Sequence, residues 1–247
     1  MQITAIKTQK VTAEDKSIYD ILDRYIKDLP EKSILCITSK IVAITEGRIV
    51  SVENSNKDEL VEKESEYFLP KEENKYGFHL TITQNLLIPA AGIDESNGNG
   101  YYVLWPKDPQ KSANKIREYL VNKFKIKNLG IIITDSKTTP LRNGTTGVGI
   151  AHSGFSALNN YVGEADLFNR KLKFTKSNIM DGIAAAAVLI MGEGHEQTPL
   201  ALVSDISKVR FQSKNPSEEE LEELKIDIDT DVYSSILKRA PWQKGKK

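Results

Sequence analysis

The chain has 247 residues, with Lys plus Arg equal to Asp plus Glu at 34 each, and so carries no formal net charge. A protein that lives on nucleic acid carries a basic excess to neutralise phosphates, and this composition offers none. The longest apolar run, Ile183–Met191, falls far short of the roughly 20 residues that span a bilayer, and Met1–Ala5 lacks the layout of a signal peptide, so the expected location is the cytoplasm with no membrane partner.

In chain order, Ile18, Ile21, Leu22, Tyr25, Ile26 and Leu29 recur at helical spacing behind a capping Ser17, and Pro30 ends that pattern. Ser33–Ile37 reads as a buried strand, and the lone Cys36 within it as a small hydrophobe in a reducing compartment. Asp58–Phe68 is predicted as a helix ending before Pro70; Gly77–Thr83, Leu86–Pro89 and Tyr101–Trp105 as strands. Ser112–Phe124 is an amphipathic helix, and Leu129–Thr134 has the unbroken apolar character of a central strand. Thr145–Phe155, rich in glycine, is either a strand with close backbone approach or a shaped loop. Leu172–Thr175 is a short strand, Asn178–Met191 a helix whose Ala184–Ala187 run permits close packing, and Pro199–Val203 a further strand. Ser217 and Glu220 form a capping-box start for a terminal helix. The mixture predicts an α/β (α+β) fold with a mixed β-sheet and flanking helices. No internal boundary is visible within 1–212, and 213–247 is expected to be a helical tail.

Four polar segments interrupt these elements. Thr38-Ser39-Lys40 follows a strand, where small hydroxyls and an ammonium suit a phosphate, although the same residues make an ordinary helix cap. Asp94 and Asn97, three apart in a glycine-containing turn, either aim at one cation or nucleotide or simply form the turn. Thr134-Asp135-Ser136 closes an apolar strand and offers two hard oxygen ligands of the kind magnesium prefers, or else an N-cap. Glu193, between Gly192 and Gly194 at a helix C-terminus, sits where negative charge is disfavoured unless a cation compensates, or else it faces solvent behind a C-cap.

At these residues the sequence resembles the coenzyme F420:L-glutamate ligase family (F420-0:gamma-glutamyl ligases). The matching segments are TSKIVAITEGRIV at 38–50, AAGIDESN at 90–97, IIITDS at 131–136, PLRNG at 140–144, YVGEADLFNR at 161–170 and DGIAAAAVLIMGEG at 181–194, in family order. The resemblance implies a GTP- or ATP-dependent ligase using Mg2+ or Mn2+, folded as an intertwined homodimer. It further implies that Asp94, Asp135, Ser136 and Glu193 hold metal. Ser39, Lys40, Asn97, Ser136, Met191, Gly192, Gly194, His195, Glu196, Gln197 and Thr198 would contact nucleotide, with Thr8–Val11 a weaker addition. Lys40 and Asp135 would serve catalysis. Arg142, from its own chemistry, either grips an anionic substrate with its guanidinium or makes a structural salt bridge.

The implied route passes the nucleotide's γ-phosphoryl group to an acceptor carboxylate, after which the amine of L-glutamate displaces phosphate. Departures from the family pattern bear on the acceptor. Ser136-Lys137-Thr138-Thr139-Pro140-Leu141-Arg142 replaces the usual run after Asp135, Ile44 stands where lysine is common, and His152 interrupts a small apolar stretch. These point to a folate-type acceptor, with F420-0 as the alternative. Two readings of other classes are a nucleotide-binding module without ligation and a metal-dependent phosphohydrolase. His152 itself reads as packed or lining a pocket.

Overall fold

A computed structural model describes residues 1–247. The elements in order begin with β1 (Gln2–Ile6), α1 (Ile18–Tyr25), β2 (Ser33–Thr38), α2 (Ser39–Thr45), β3 (Ile49–Ser51), α3 (Lys57–Glu64) and β4 (Tyr67–Leu69). There follow β5 (Leu80–Thr83), β6 (Leu86–Pro89), β7 (Tyr101–Val103), α4 (Pro109–Phe124), β8 (Leu129–Thr138) and β9 (Thr145–Ser153). The chain ends with β10 (Leu158–Asn160), β11 (Lys176–Asn178), α5 (Ile179–Met191), β12 (Leu200–Ser204), α6 (Glu218–Glu222), α7 (Ser234–Leu237) and β13 (Gln243–Lys244).

A five-stranded mixed sheet, ordered β1-β12-β2-β8-β9, forms the centre; β2 and β8 run parallel and every other pair is antiparallel. Because side chains alternate across a strand, β2 sends Leu35 and Ile37 to one face and Ile34 and Cys36 to the other. On the first face they meet Ile18 and Leu22 of α1 and Ile116 and Leu120 of α4. On the second they meet Met180, Ala184 and Ala187 of α5. With both faces covered, β2 and β8 need no polar alternation, which explains their unbroken apolar runs. A four-stranded antiparallel sheet, β13-β4-β5-β6, and the pairs β3-β7 and β10-β11 stand beside this core.

Local chemistry accounts for the boundaries. The Ser17 side chain accepts a hydrogen bond from the Asp20 amide at the start of α1. Asn178 does the same for Asp181 at α5, and Ser217 with Glu220 completes a capping box at α6. The glycine-rich segment resolves as a strand. A methyl group at Gly147 of β9 would lie 2.4 Å from the Ala184 carbonyl oxygen, and one at Gly149 would lie 2.5 Å from Met180 Cγ. The glycines and the alanine run of α5 are thus two halves of one close approach.

Several expectations are corrected. The helix over 58–68 stops at Glu64, since Tyr67 and Phe68 pair with Ile82 and Thr81. The strand expected over 77–83 is confined to Leu80–Thr83, while α4 starts earlier than Ser112, with Asp108 as N-cap and Pro109 in the first turn. Leu172–Thr175 is not a strand; the pairing falls one step later, at Lys176–Asn178 against Leu158–Asn160. β8 continues through Thr138 because β9 pairs with it that far, so Asp135 is neither at a strand's end nor an N-cap. The segment after 212 holds two short helices but also β13, which pairs with β4.

Gly147→Ala is expected to cost about 1–3 kcal/mol by overpacking, because the obstacle is helix backbone, which cannot rotate away. Urea unfolding of the variant beside the parent checks this; an unchanged midpoint would mean that α5 is free to withdraw.

Candidate active site

A cavity of about 530 Å3 opens where β2 and β8 emerge from the central sheet, and five segments wall it. These are the 8–12 loop, the β2–α2 junction, the 94–99 loop, residues 134–136 of β8 and the 191–198 loop.

The β2–α2 junction shows how one segment does two jobs. Thr38 caps α2 through its side chain, and Ser39 is buried in the first turn. Lys40 projects into the cavity. Its Nζ lies 2.9 Å from Asp94 Oδ2 and 2.9 Å from the Ser96 carbonyl oxygen. Asp94 is itself held by backbone bonds exchanged with Val103 of β7.

Asp135 faces this pair from β8, just past a bulge between Ile133 and Thr134. Such an irregularity re-aims the side chains that follow it. One carboxylate oxygen accepts from the Ser136 amide at 2.8 Å, and the other accepts from the indole N–H of Trp105. The residue as a whole is half-buried, but protein atoms enclose its carboxyl group. Desolvation, followed by the negative charge of Asp94, pushes it up to about 7 against the pull of Trp105, the Ser136 amide and Lys40.

The 191–198 loop begins where Gly192 ends α5 with φ +81. It is tied to its neighbours on two sides: the Asn97 side chain donates to the Gly194 carbonyl at 3.0 Å, and the Thr8 amide donates to the Gln197 carbonyl at 2.8 Å. Within it, Gly194 N–H donates to Glu196, and Thr198 donates to the Met191 carbonyl. Glu193 accepts from the Thr145 hydroxyl at 3.4 Å.

Most of the residues singled out from sequence therefore share one cavity: Lys40, Asp94, Asn97, Asp135, Ser136 and all of Met191–Thr198 line it. Ser39 and Arg142 do not line it; Arg142 stands on the exposed β8–β9 turn. His152 lies elsewhere too, its buried ring 5.3 Å from that of Phe155, and burial pushes it down to about 4. Sequence reasoning overlooked Trp105, whose only signal was a large aromatic just after a strand, and it reached only weakly for the 8–12 segment.

The donor set suits a hard divalent cation. Asp94, Asp135, Ser136 and Glu193 offer oxygen only. Two mutually repelling carboxylates, one already salt-bridged to an ammonium, make a charge deficit that a cation would relieve. No three acidic, histidine or cysteine side chains stand together as a ready-made cluster; Glu193 lines the same cavity but is exposed and bonds Thr145.

Residues 5–205 match the family model described as F420-0:Gamma-glutamyl ligase. The chain belongs to this family of ligases. It is 34% identical over 205 residues to the Coenzyme F420:L-glutamate ligase of Methanococcus maripaludis strain C7, covering 77% of this chain and 82% of that one. The Methanopyrus kandleri protein of the same name is 32% identical over 196 residues, 71% and 75% of the two chains. That of Methanosarcina mazei is 32% identical over 224 residues, 82% and 86%. Members of this family are enzymes, and no helix here is long and apolar enough to cross a membrane.

Asp135 gives a signed pH dependence. Its folded value lies above the ordinary 3.8, so the folded state keeps a proton that the unfolded chain releases. Stability from this group is therefore full at low pH and is lost as pH rises towards 7. A cation binds only the ionised form. Mg2+ or Mn2+ is expected to raise Tm more at about pH 8 than at about pH 5.5, and Asp135→Asn to remove the difference. A cation effect equal at both pH values would contradict this assignment.

Proposed function

We propose that this enzyme uses a nucleoside triphosphate and a divalent metal to join L-glutamate, through an amide bond formed at its amine, to a carboxylate of an F420-0-type acceptor. The observation that carries the proposal is the convergence of Lys40, Asp94 and Asp135 on one cavity in a chain of this family. The names of the relatives favour the F420-0 acceptor over the folate-type one expected from the sequence. That expectation leaned partly on His152, which is packed against Phe155 outside the cavity. Its remaining support is the altered Lys137–Leu141 segment, whose base adjoins Thr145 and so Glu193.

Asp94 and Asp135, with the Ser136 hydroxyl and Glu193 near them, would hold Mg2+ or Mn2+, which supplies neutralisation of phosphate charge. The chain's own groups do the rest. Lys40 offsets charge on the transferring phosphoryl group. The 191–198 loop, fastened to Asn97 and Thr8, forms a wall that fixes GTP or ATP. An acceptor carboxylate oxygen attacks the γ-phosphorus, the bond to the β-phosphate oxygen breaks, and an acyl phosphate and nucleoside diphosphate result. The glutamate amine then attacks the acyl carbon, forming C–N as C–O breaks; phosphate leaves and the amine gives up a proton. Positioning and charge account for such transfer without a covalent protein intermediate.

Incubation with L-glutamate, GTP or ATP, Mg2+ and a panel of acceptors, read by mass spectrometry, is expected to add one glutamyl unit to F420-0. Equal or higher kcat/KM with tetrahydrofolate would reverse the acceptor assignment. Phosphate release without glutamate would favour a phosphohydrolase, and nucleotide binding without turnover a binding module.

We also infer a homodimer. The extension between β10 and β11 exposes Phe168 at 82% and Phe174 at 89%, and α5 exposes Leu189 at 79%. Large apolar side chains exposed in this way suit a second copy of the chain, in keeping with the homodimer that the family resemblance implies. Light scattering is expected to report twice the 27.6 kDa chain mass; a monomer at micromolar concentration would refute it.

A further inference from the structure

Trp105 is 4% exposed, and its indole N–H is directed at a carboxylate oxygen of Asp135. Three features hold the ring in that pose. Its own backbone carbonyl accepts from Arg48 Nε at 2.9 Å, and Arg48 is in turn paired with Glu64 at 2.6 Å. The other face of the ring rests on Gly92, where even a methyl group would lie 2.2 Å from the indole nitrogen. Gly92 ends a run of left-handed residues, with Ala90 and Ala91 at φ 52 and Gly92 at φ 71. Non-glycine residues in this region store strain, which persists only where the surroundings over-determine it and which gathers at functional sites. Here the strained turn both clears room for the indole and leads directly into Asp94.

The same short segment, 103–105, therefore holds the Asp94 backbone and the Asp135 side chain. Val103 of β7 exchanges backbone hydrogen bonds with Asp94, and two residues further on Trp105 bonds the Asp135 side chain. Asp94 and Asp135 otherwise come from separate parts of the fold, one from the loop after β6 and the other from the central sheet. An indole N–H is a donor only, so it orients a carboxylate oxygen without competing for a cation. Bonded at one oxygen by Trp105 and at the other by the Ser136 amide, the Asp135 carboxylate is fixed, while each oxygen keeps acceptor capacity.

We propose that Trp105 is the positioning residue that sets the Asp94–Asp135 spacing for a divalent cation. The proposal rests on the reading of Asp135 as a metal-holding residue, and the test separates the two. Outer hydrogen-bond partners of metal ligands typically change affinity 10–100-fold when removed. Trp105→Phe is expected to weaken Mn2+ binding at least about tenfold, measured by the resonance of free Mn2+ with no nucleotide or acceptor present. Since Phe also removes volume, a second variant carries β-(3-benzothienyl)alanine at 105, which keeps the bicyclic shape and lacks only the N–H; it is expected to show a comparable loss. The parent's kcat should be largely recovered at saturating Mn2+, which a general loss of structure would not permit. In a Trp242→Phe background Trp105 is the sole tryptophan of the two in the chain, and paramagnetic Mn2+ is expected to quench its emission. If Asp135→Asn abolishes Mn2+ binding while the benzothienyl variant binds as the parent does, the role of Trp105 is overturned and the metal site stands. If Asp135→Asn leaves Mn2+ binding unchanged, both fall.

Discussion

The parallel pairing of β2 and β8 is the constraint from which the rest of the molecule follows. Its register joins Ser33 to Leu129 and Thr38 to Thr134. Parallel neighbours leave the sheet in the same direction, so whatever follows Thr38 must stand beside whatever follows Thr134. Lys40 and Asp135 are brought together by strand direction before any polar contact forms. Parallel strands also need both faces covered, which accounts for α1 and α4 on one side and α5 on the other. The cavity lies past the carboxyl end of β2 and beside residues 134–136 of β8, the usual place for ligands in sheets of this kind.

The central strands, α5 and the start of α1 were legible because their burial pattern and their caps agree, although α1 ends at Tyr25, short of the Leu29 to which its periodicity ran. Ser33–Ile37 is apolar without interruption, Ser17 and Asn178 cap as their chemistry suggests, and the small residues of β9 and α5 do face each other. The misreadings arose where pairing partners distant in sequence decided the outcome. Tyr67 and Phe68 continue the helical periodicity of α3, yet β5 offers them a ladder. Asp135 resembles the end of a strand because the apolar run stops there, but β9 carries the pairing three residues further.

The candidate site divides in the same way. Acidic residues beside small ones, each after an apolar element, led to Asp94, Asp135 and Glu193, and all three reach one cavity. Their inequality was not readable: only the fold makes Asp94 and Asp135 interact while Glu193 stands beside Thr145. Trp105 gave no sign because an aromatic after a strand is ordinarily core, and only the fold directs its N–H at Asp135. Arg142 differs from these, since it stands on an exposed turn and does not line the cavity.

The tail after β12 has a different character from the body it crosses. α6 and α7 contain no buried residue, and the final strand binds β4 by pairing Gln243 with Phe68 and Lys244 with Tyr67. The chain thus closes a loop of more than two thirds of its length for little apolar burial. Contacts so distant in sequence are gained only after the loop's entropy has been surrendered, so they form late. Elements with few buried contacts also open at free energies well below that of global unfolding. Within the four-stranded sheet, β4 to β6 pair locally and β13 is the last strand to join. In the native ensemble the same edge is the first to come undone, leaving β4 briefly exposed as an open strand while the cavity on the central sheet stays intact.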